Sequence, residues 1–150
     1  MQIVRAQPSD AAALSAIARA AKAHWGYPQA WLDQWRDLLA ITPEFVAAQE
    51  TFVAVVDGRI VAFYALLDRD GTLCLEHLWV LPDQMRRGLG RKLFQHAIER
   101  ARSRGASRLT IEADPNAEPF YRHMGAAVVG KTTSEVEGRR RELPLLAYQL

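Results

Sequence analysis

Apolar residues along this chain switch between two periods. Leu14, Ile17, Ala18 and Ala21 recur at helical spacing, and Pro8-Ser9-Asp10 just upstream supplies a start, with Ser9 or Asp10 as cap. A second helix is predicted from Pro28, with Trp31, Leu32, Trp35, Leu38 and Leu39 on one broad face, and Thr42-Pro43-Glu44 can open a third, shorter one. Residues 2–7 read as a short strand. Beyond residue 50 the period changes. Thr51–Val56 and Arg59–Leu67 read as strands joined by Asp57-Gly58, a two-residue hairpin signal, and Asp70-Gly71 turns the chain into a third strand, 72–81. Helical spacing then returns over 89–104, where Leu89, Leu93, Phe94, Ala97, Ile98 and Ala101 form a stripe and Gly105 ends it. Strand 108–113, a short helix at 116–124 ended by Gly125, and strands 126–132 and 140–149 around Glu137-Gly138 complete the chain. The order β-α-α-β-β-β-α-β-α-β-β predicts an α/β (α+β) fold, a mixed sheet flanked by helices.

The totals narrow the class. At 150 residues and 49% apolar content the chain is expected to form one globular domain, residues 1–150. A net charge of +2 is too small to argue for a nucleic-acid partner; the arginine excess is local, at Arg86-Arg87 and Arg139-Arg140-Arg141, the latter expected as a solvated hairpin edge. One cysteine, Cys74, excludes an internal disulfide and suits a reducing compartment, as a buried, inert thiol. With no signal-peptide pattern and no apolar run of membrane-spanning length, the expectation is a soluble, cytoplasmic protein with no membrane partner. The four histidines, at 24, 77, 96 and 123, lack the spacing of metal ligands, so no metal is expected.

Two segments carry candidate chemistry. In 78–94 a strand runs into Arg86-Arg87-Gly88-Leu89-Gly90 and then a helix. Glycines at a helix mouth let a bulky anion approach unpaired N–H groups and the positive end of the helix dipole, so this segment is expected to hold a phosphorylated cofactor. Strict alternation in strand 72–81 puts Cys74, Glu76, Leu78 and Val80 on one face and Leu73, Leu75, His77 and Trp79 on the other. Glu76 is then placed to remove a proton near the cofactor loop, or else is a solvated glutamate or the partner of an arginine. The second segment is Asp114 through Gly125. Asn116 can cap the following helix, and the Tyr121 hydroxyl can protonate a leaving thiolate, or Phe120 and Tyr121 are core aromatics.

Together these segments resemble the GNAT superfamily, the acetyl-CoA-dependent N-acetyltransferases. Leu78-Trp79-Val80-Leu81-Pro82 followed by Arg86-Arg87-Gly88-Leu89-Gly90-Arg91 resembles the family's pyrophosphate-loop motif, and Asn116 through Gly125 its second motif. The element order follows the family over nearly the whole chain. The resemblance implies a GNAT-like fold, a mostly antiparallel twisted sheet of about seven strands with about four helices. It implies acetyl-CoA as acetyl donor. Leu78, Trp79 and Val80 would lie along the pantetheine arm, Arg86 to Arg91 would wrap the pyrophosphate, and Asn116 would contact coenzyme A. Met85 stands where the motif usually has glutamine or arginine, with Gln84 just before it, and Ala126 where an aromatic often follows the glycine. Glu76 would be general base, with Glu112 and Asp114 as competitors, and Tyr121 general acid. The acceptor would be an amine on a small molecule or peptide, attacking the thioester directly, and related folds often dimerise, which raises a homodimer.

Residues 24–35 hold three of the four tryptophans, between the first two helices, where GNAT-like folds line the acceptor site. Trp25, Tyr27 and Trp31 are expected there as an aromatic wall, with helix packing as the alternative for Trp31 and Trp35. A non-catalytic acyl-CoA-binding module is the competing function. The residues do not identify the acceptor.

Overall fold

A computed structural model describes residues 1–150. Its strands are β1 Gln2–Arg5, β2 Glu50–Val56, β3 Arg59–Arg69, β4 Thr72–Val80, β5 Arg108–Glu112, β6 Ala127–Val136 and β7 Arg139–Gln149. The α-helices are α1 Ala11–Ala23, α2 Gln29–Gln34, α3 Pro43–Ala48, α4 Leu89–Ser103 and α5 Glu118–His123, with 3-10 turns at Pro8–Asp10, Pro82–Gln84 and Pro115–Ala117. The predicted order holds, with α3 as the additional short helix. No helix is long and apolar enough to cross a membrane.

All seven strands form one sheet in the order β1-β2-β3-β4-β5-β7-β6. The local signals explain the hairpins. Asp57-Gly58, Asp70-Gly71 and Glu137-Gly138 all take positive φ at both positions, the two-residue turn whose twist matches that of the strands. Helix α4 buries the stripe its spacing predicts, from Leu89 to Ala101, and Gly105 at φ +76° terminates it. That stripe and Tyr121 pack on one face of the sheet. Leu14, Ile17 and Ala18 of α1 pack on the other, with Trp35, Val53 and Phe63.

One junction shapes the site. β4 and β5 are the parallel pair, and they are paired only at Cys74 and Thr110. Beyond that point they part, leaving an opening in the middle of the sheet, where α/β proteins commonly bind ligands. Cys74 is half-buried there, and its sulfur accepts from the Thr110 hydroxyl at 3.2 Å.

Three expectations change. First, β4 does not alternate strictly. Ala65 pairs with His77 but Leu66 pairs with Leu75, so Glu76 is an extra residue, a β-bulge. The bulge shifts the phase: Leu73, Leu75, Leu78 and Val80 all face the α4 side, and Trp79 faces the α1 side. Second, α2 stops at Gln34. The N–H groups of Arg36 and Ala40 bond three residues back, to Asp33 and Asp37, instead of four. Trp35 and Leu39 still reach the core, whereas Leu38 turns out to solvent at 74% exposure. Third, the arginines of β7 are not a uniform solvated edge. β6 is the sheet edge, and Arg141 turns inward.

Candidate active site

The opening between β4 and β5 widens into a cavity of about 510 Å³, within the range of small-molecule sites. Residues from β4, the loop into α4, β5, α5 and the end of α1 line it.

On the β4 side, the ladder sets which main-chain groups point inward. The N–H of Leu81 donates to the carbonyl of Val61 at 2.9 Å. Bonded pairs alternate along an antiparallel ladder, so Trp79 and His77 also spend their main-chain groups on β3. The N–H and C=O of Leu78 and Val80 therefore face the opening, with no strand opposite. Leu78, Trp79 and Val80 all line the cavity.

The loop before α4 closes one end. Arg86 at φ +64° and Gly88 at φ +79° both take left-handed backbone, flanking Arg87. Alternation of this kind turns successive N–H groups toward one concavity, an anion-binding nest. From Arg86 through Arg91, no N–H finds an acceptor within the protein; the first bond of α4 is from Lys92 to Gly88. The dipole of this long helix adds partial positive charge. Gln84, Met85, Arg86, Gly88, Leu89, Gly90 and Arg91 line the cavity, whereas Arg87 does not. Gly90 leaves its room to Phe120 and Val80, whose side chains lie 3.5 and 3.9 Å from where a Cβ would sit.

Tyr121 projects from α5 on the opposite wall. Its ring is buried against Phe94 and Phe120. Its hydroxyl makes no hydrogen bond within the protein and is not sealed from the cavity. Burial pushes its pKa above the ordinary tyrosine value, so it stays protonated at neutral pH. Glu76 sits at the bulge, lines the cavity and pairs with Arg69 at 2.6 Å. Glu112 also lines it and is exposed.

Asp114 has another task. Its carboxylate takes Lys22 at 2.5 Å and Arg141 at 3.3 Å, the Tyr27 hydroxyl at 2.8 Å, and the main-chain N–H of Asn116 at 2.8 Å. Asp114, rather than Asn116, caps the turn leading into α5; Asn116 donates its side-chain amide to Asp114 and Tyr27 instead. Burial alone would raise the Asp114 pKa, but Lys22, the Asn116 N–H and Tyr27 outweigh it and hold the group below the ordinary aspartate value. Trp35 completes the cluster, with Lys22 Nζ 4.4 Å and the Arg141 guanidinium 4.8 Å from its ring centre.

The aromatic segment divides accordingly. Trp25, 41% exposed, lines the cavity. Tyr27 and Trp31 do not: they stack on each other at 5.8 Å, and Tyr27 meets Trp35 edge-on at 4.9 Å. Trp79, brought to the α1 side by the bulge, supplies the second cavity-lining indole. The polar cluster was missed in the sequence. Its available signal was Lys22, a charge beside Ala21 on the apolar stripe of α1, where a buried cation demands a partner.

These features agree with what the chain is similar to. Residues 13–126 match the Acetyltransferase (GNAT) family. Streptothricin acetyltransferase of Streptomyces lavendulae is 36% identical over 102 residues, covering 64% of this chain and 54% of that protein, so the chain spans about half that relative's length. Peptidyl-lysine N-acetyltransferase YiaC of Escherichia coli (strain K12) is 27% identical over 109 residues, 70% of this chain and 69% of its own. A GCN5-related N-acetyltransferase (aminotransferase, class-II) from Rhodopseudomonas palustris shares the fold with a TM-score of 0.84 at 26% identity, over 99% of this chain and 95% of the other. A split sheet with a free amide cradle at its mouth, and a family match across most of the sequence, make this chain a member of the acetyltransferase (GNAT) family.

Proposed function

We propose that this protein transfers the acetyl group of acetyl-CoA to an amine of a small molecule or peptide, by direct attack within a ternary complex. The observation that carries this reading is the run of unsatisfied N–H groups from Arg86 to Arg91 at the mouth of α4, opening into the cavity that Tyr121 lines. A diphosphate fits that cradle by charge and by hydrogen bonding. When bound, acetyl-CoA supplies an activated thioester.

The chain's own residues supply the rest. The inward N–H groups of Leu78 and Val80 are donors for charge developing on a carbonyl oxygen. Glu76 accepts the proton of the incoming ammonium, directly or through water, because an ammonium has no lone pair with which to attack. Tyr121 gives its proton to the departing thiolate, and the acceptor nitrogen, which sheds its second proton as the amide forms, restores the hydroxyl. Trp25 and Trp79 offer indole faces to the acceptor, and a cationic amine gains from such a face. Holding both reactants in one opening replaces a bimolecular encounter by a positioned one.

The test is a thiol-release assay with acetyl-CoA against an amine panel that includes streptothricin and a lysine-containing peptide, run on wild type and Tyr121→Phe. The expected result is release with at least one amine, and a kcat lowered about 100-fold in Tyr121→Phe with CoA affinity unchanged. Equal kcat removes the acid role of Tyr121. Tight CoA binding without transfer to any amine points to a non-catalytic binding module.

A further inference from the structure

We propose that Tyr27 is a positioning residue for the thioester carrier: together with Asp114 it locks the Asn116 carboxamide so that only its carbonyl oxygen is offered to the cavity. This rests on the reading above, that the cavity takes a CoA thioester.

The Asn116 Nδ2 lies 3.0 Å from the Tyr27 hydroxyl and 3.0 Å from Asp114 Oδ1. An ionised carboxylate can only accept, so the nitrogen and not the oxygen of the carboxamide must lie on this side. Both amide hydrogens are thereby used. The Oδ1 of Asn116 takes no donor from the protein, and Asn116 lines the cavity. The group it can hold is therefore an N–H or O–H donor. The pantetheine arm of CoA carries amide N–H groups of that kind, whereas the phosphates do not.

Tyr27 itself does not line the cavity. Its hydroxyl is fully committed. It donates to Asp114 and accepts from Asn116 and from Arg141. Its ring is held independently by Trp31 and Trp35. A phenylalanine here keeps the ring packing and removes the hydroxyl that bonds Asn116, Asp114 and Arg141. The part of its effect that passes through the carboxamide is the part that disappears once Asn116 is replaced by alanine.

The experiment is calorimetric titration of CoA, and separately of adenosine 3′,5′-bisphosphate, which lacks the pantetheine arm. The proteins are wild type, Tyr27→Phe, Asn116→Ala, the double variant and Asn116→Asp. Tyr27→Phe is expected to weaken CoA about fivefold and to leave the bisphosphate unchanged. In the Asn116→Ala background it should change CoA affinity no further. Asn116→Asp keeps an acceptor oxygen but loses both donors and faces Asp114 as a like charge, so it should also weaken CoA and spare the bisphosphate. This exposed position tests the idea even if Tyr27→Phe folds poorly. Undiminished CoA binding in Tyr27→Phe or Asn116→Asp, equal weakening of the bisphosphate, or additive effects in the double variant would overturn the positioning role alone. A wild type that binds no CoA would overturn the proposed function, and this inference with it.

Discussion

The indole N–H of Trp79 donates to Nδ1 of His77, two residues earlier on the same strand, at 3.0 Å. This bond requires Nδ1 to be an acceptor, so the imidazole is neutral with its proton on Nε2. Burial enforces the same state and pulls the His77 pKa down to about 4. Phe45 and Phe63 pack around the ring.

A pH dependence follows from that burial. Between the ordinary histidine value of about 6.5 and the folded value of about 4, the unfolded chain binds more protons than the folded one. The contribution is therefore complete above pH ~6.5 and is lost as the pH falls toward ~4, up to about 3 kcal/mol. Urea denaturation at pH 7.5 and pH 5 should show this loss. His77→Gln should shrink the difference between the two pH values, and an undiminished difference would assign it to the carboxylates.

Glu76 and Asp114 both line the cavity, but they should respond differently to loss of charge. Glu76→Gln is expected to lower kcat/KM about 100-fold near neutral pH, with stability nearly unchanged, because Glu76 is paired only with the exposed Arg69. Asp114→Asn leaves Lys22 and Arg141 as buried cations without their carboxylate, and should cost about 3 kcal/mol of stability. Denaturation and steady-state rates on both variants separate the roles. A Glu76→Gln protein with wild-type rates would move the base to Glu112.

Gly88 tests the cradle. A Cβ added there meets nothing within 4 Å, so Gly88→Ala brings no clash, only the strain of an L-residue at φ +79°. That strain is about 1 kcal/mol. Relief by rotation would turn the neighbouring N–H groups away from a bound diphosphate. CoA affinity measured by calorimetry should fall at least tenfold, well beyond the small loss in thermal stability. Unchanged affinity would mean that the diphosphate is held elsewhere.

Trp25 is exposed for so large an indole, yet it borders the cavity. Trp25→Ala should raise the acceptor KM several-fold through loss of a contact worth about 1 kcal/mol, and leave the Kd of CoA intact. An unchanged KM would leave Trp79 as the indole that meets the acceptor.

The elements legible in the chain are those whose causes are local. The stripe of α4, the three Asp-Gly and Glu-Gly hairpins and the glycine turn before α4 each depend on residues within a few positions of one another, and all formed as their spacing predicts. The aromatic segment was legible only in part. Trp25 reaches the cavity, while Tyr27 and Trp31 turn away because Trp35 and the Asp114 cluster draw them inward.

By itself, the sequence determined the order of helices and strands, the glycine turn before α4 and the presence of Glu76, Asn116 and Tyr121 in the segments beside it. Only the tertiary structure decided which way those groups face. The bulge at Glu76 exists because β3 offers one residue fewer than β4 across that step, a mismatch between strands that alternation within β4 cannot reveal. The Asp114 cluster joins Lys22 and Arg141 from 92 and 27 residues away in the chain. Such charges pair only where folding removes them from water together, so their partnership is a property of the packed molecule.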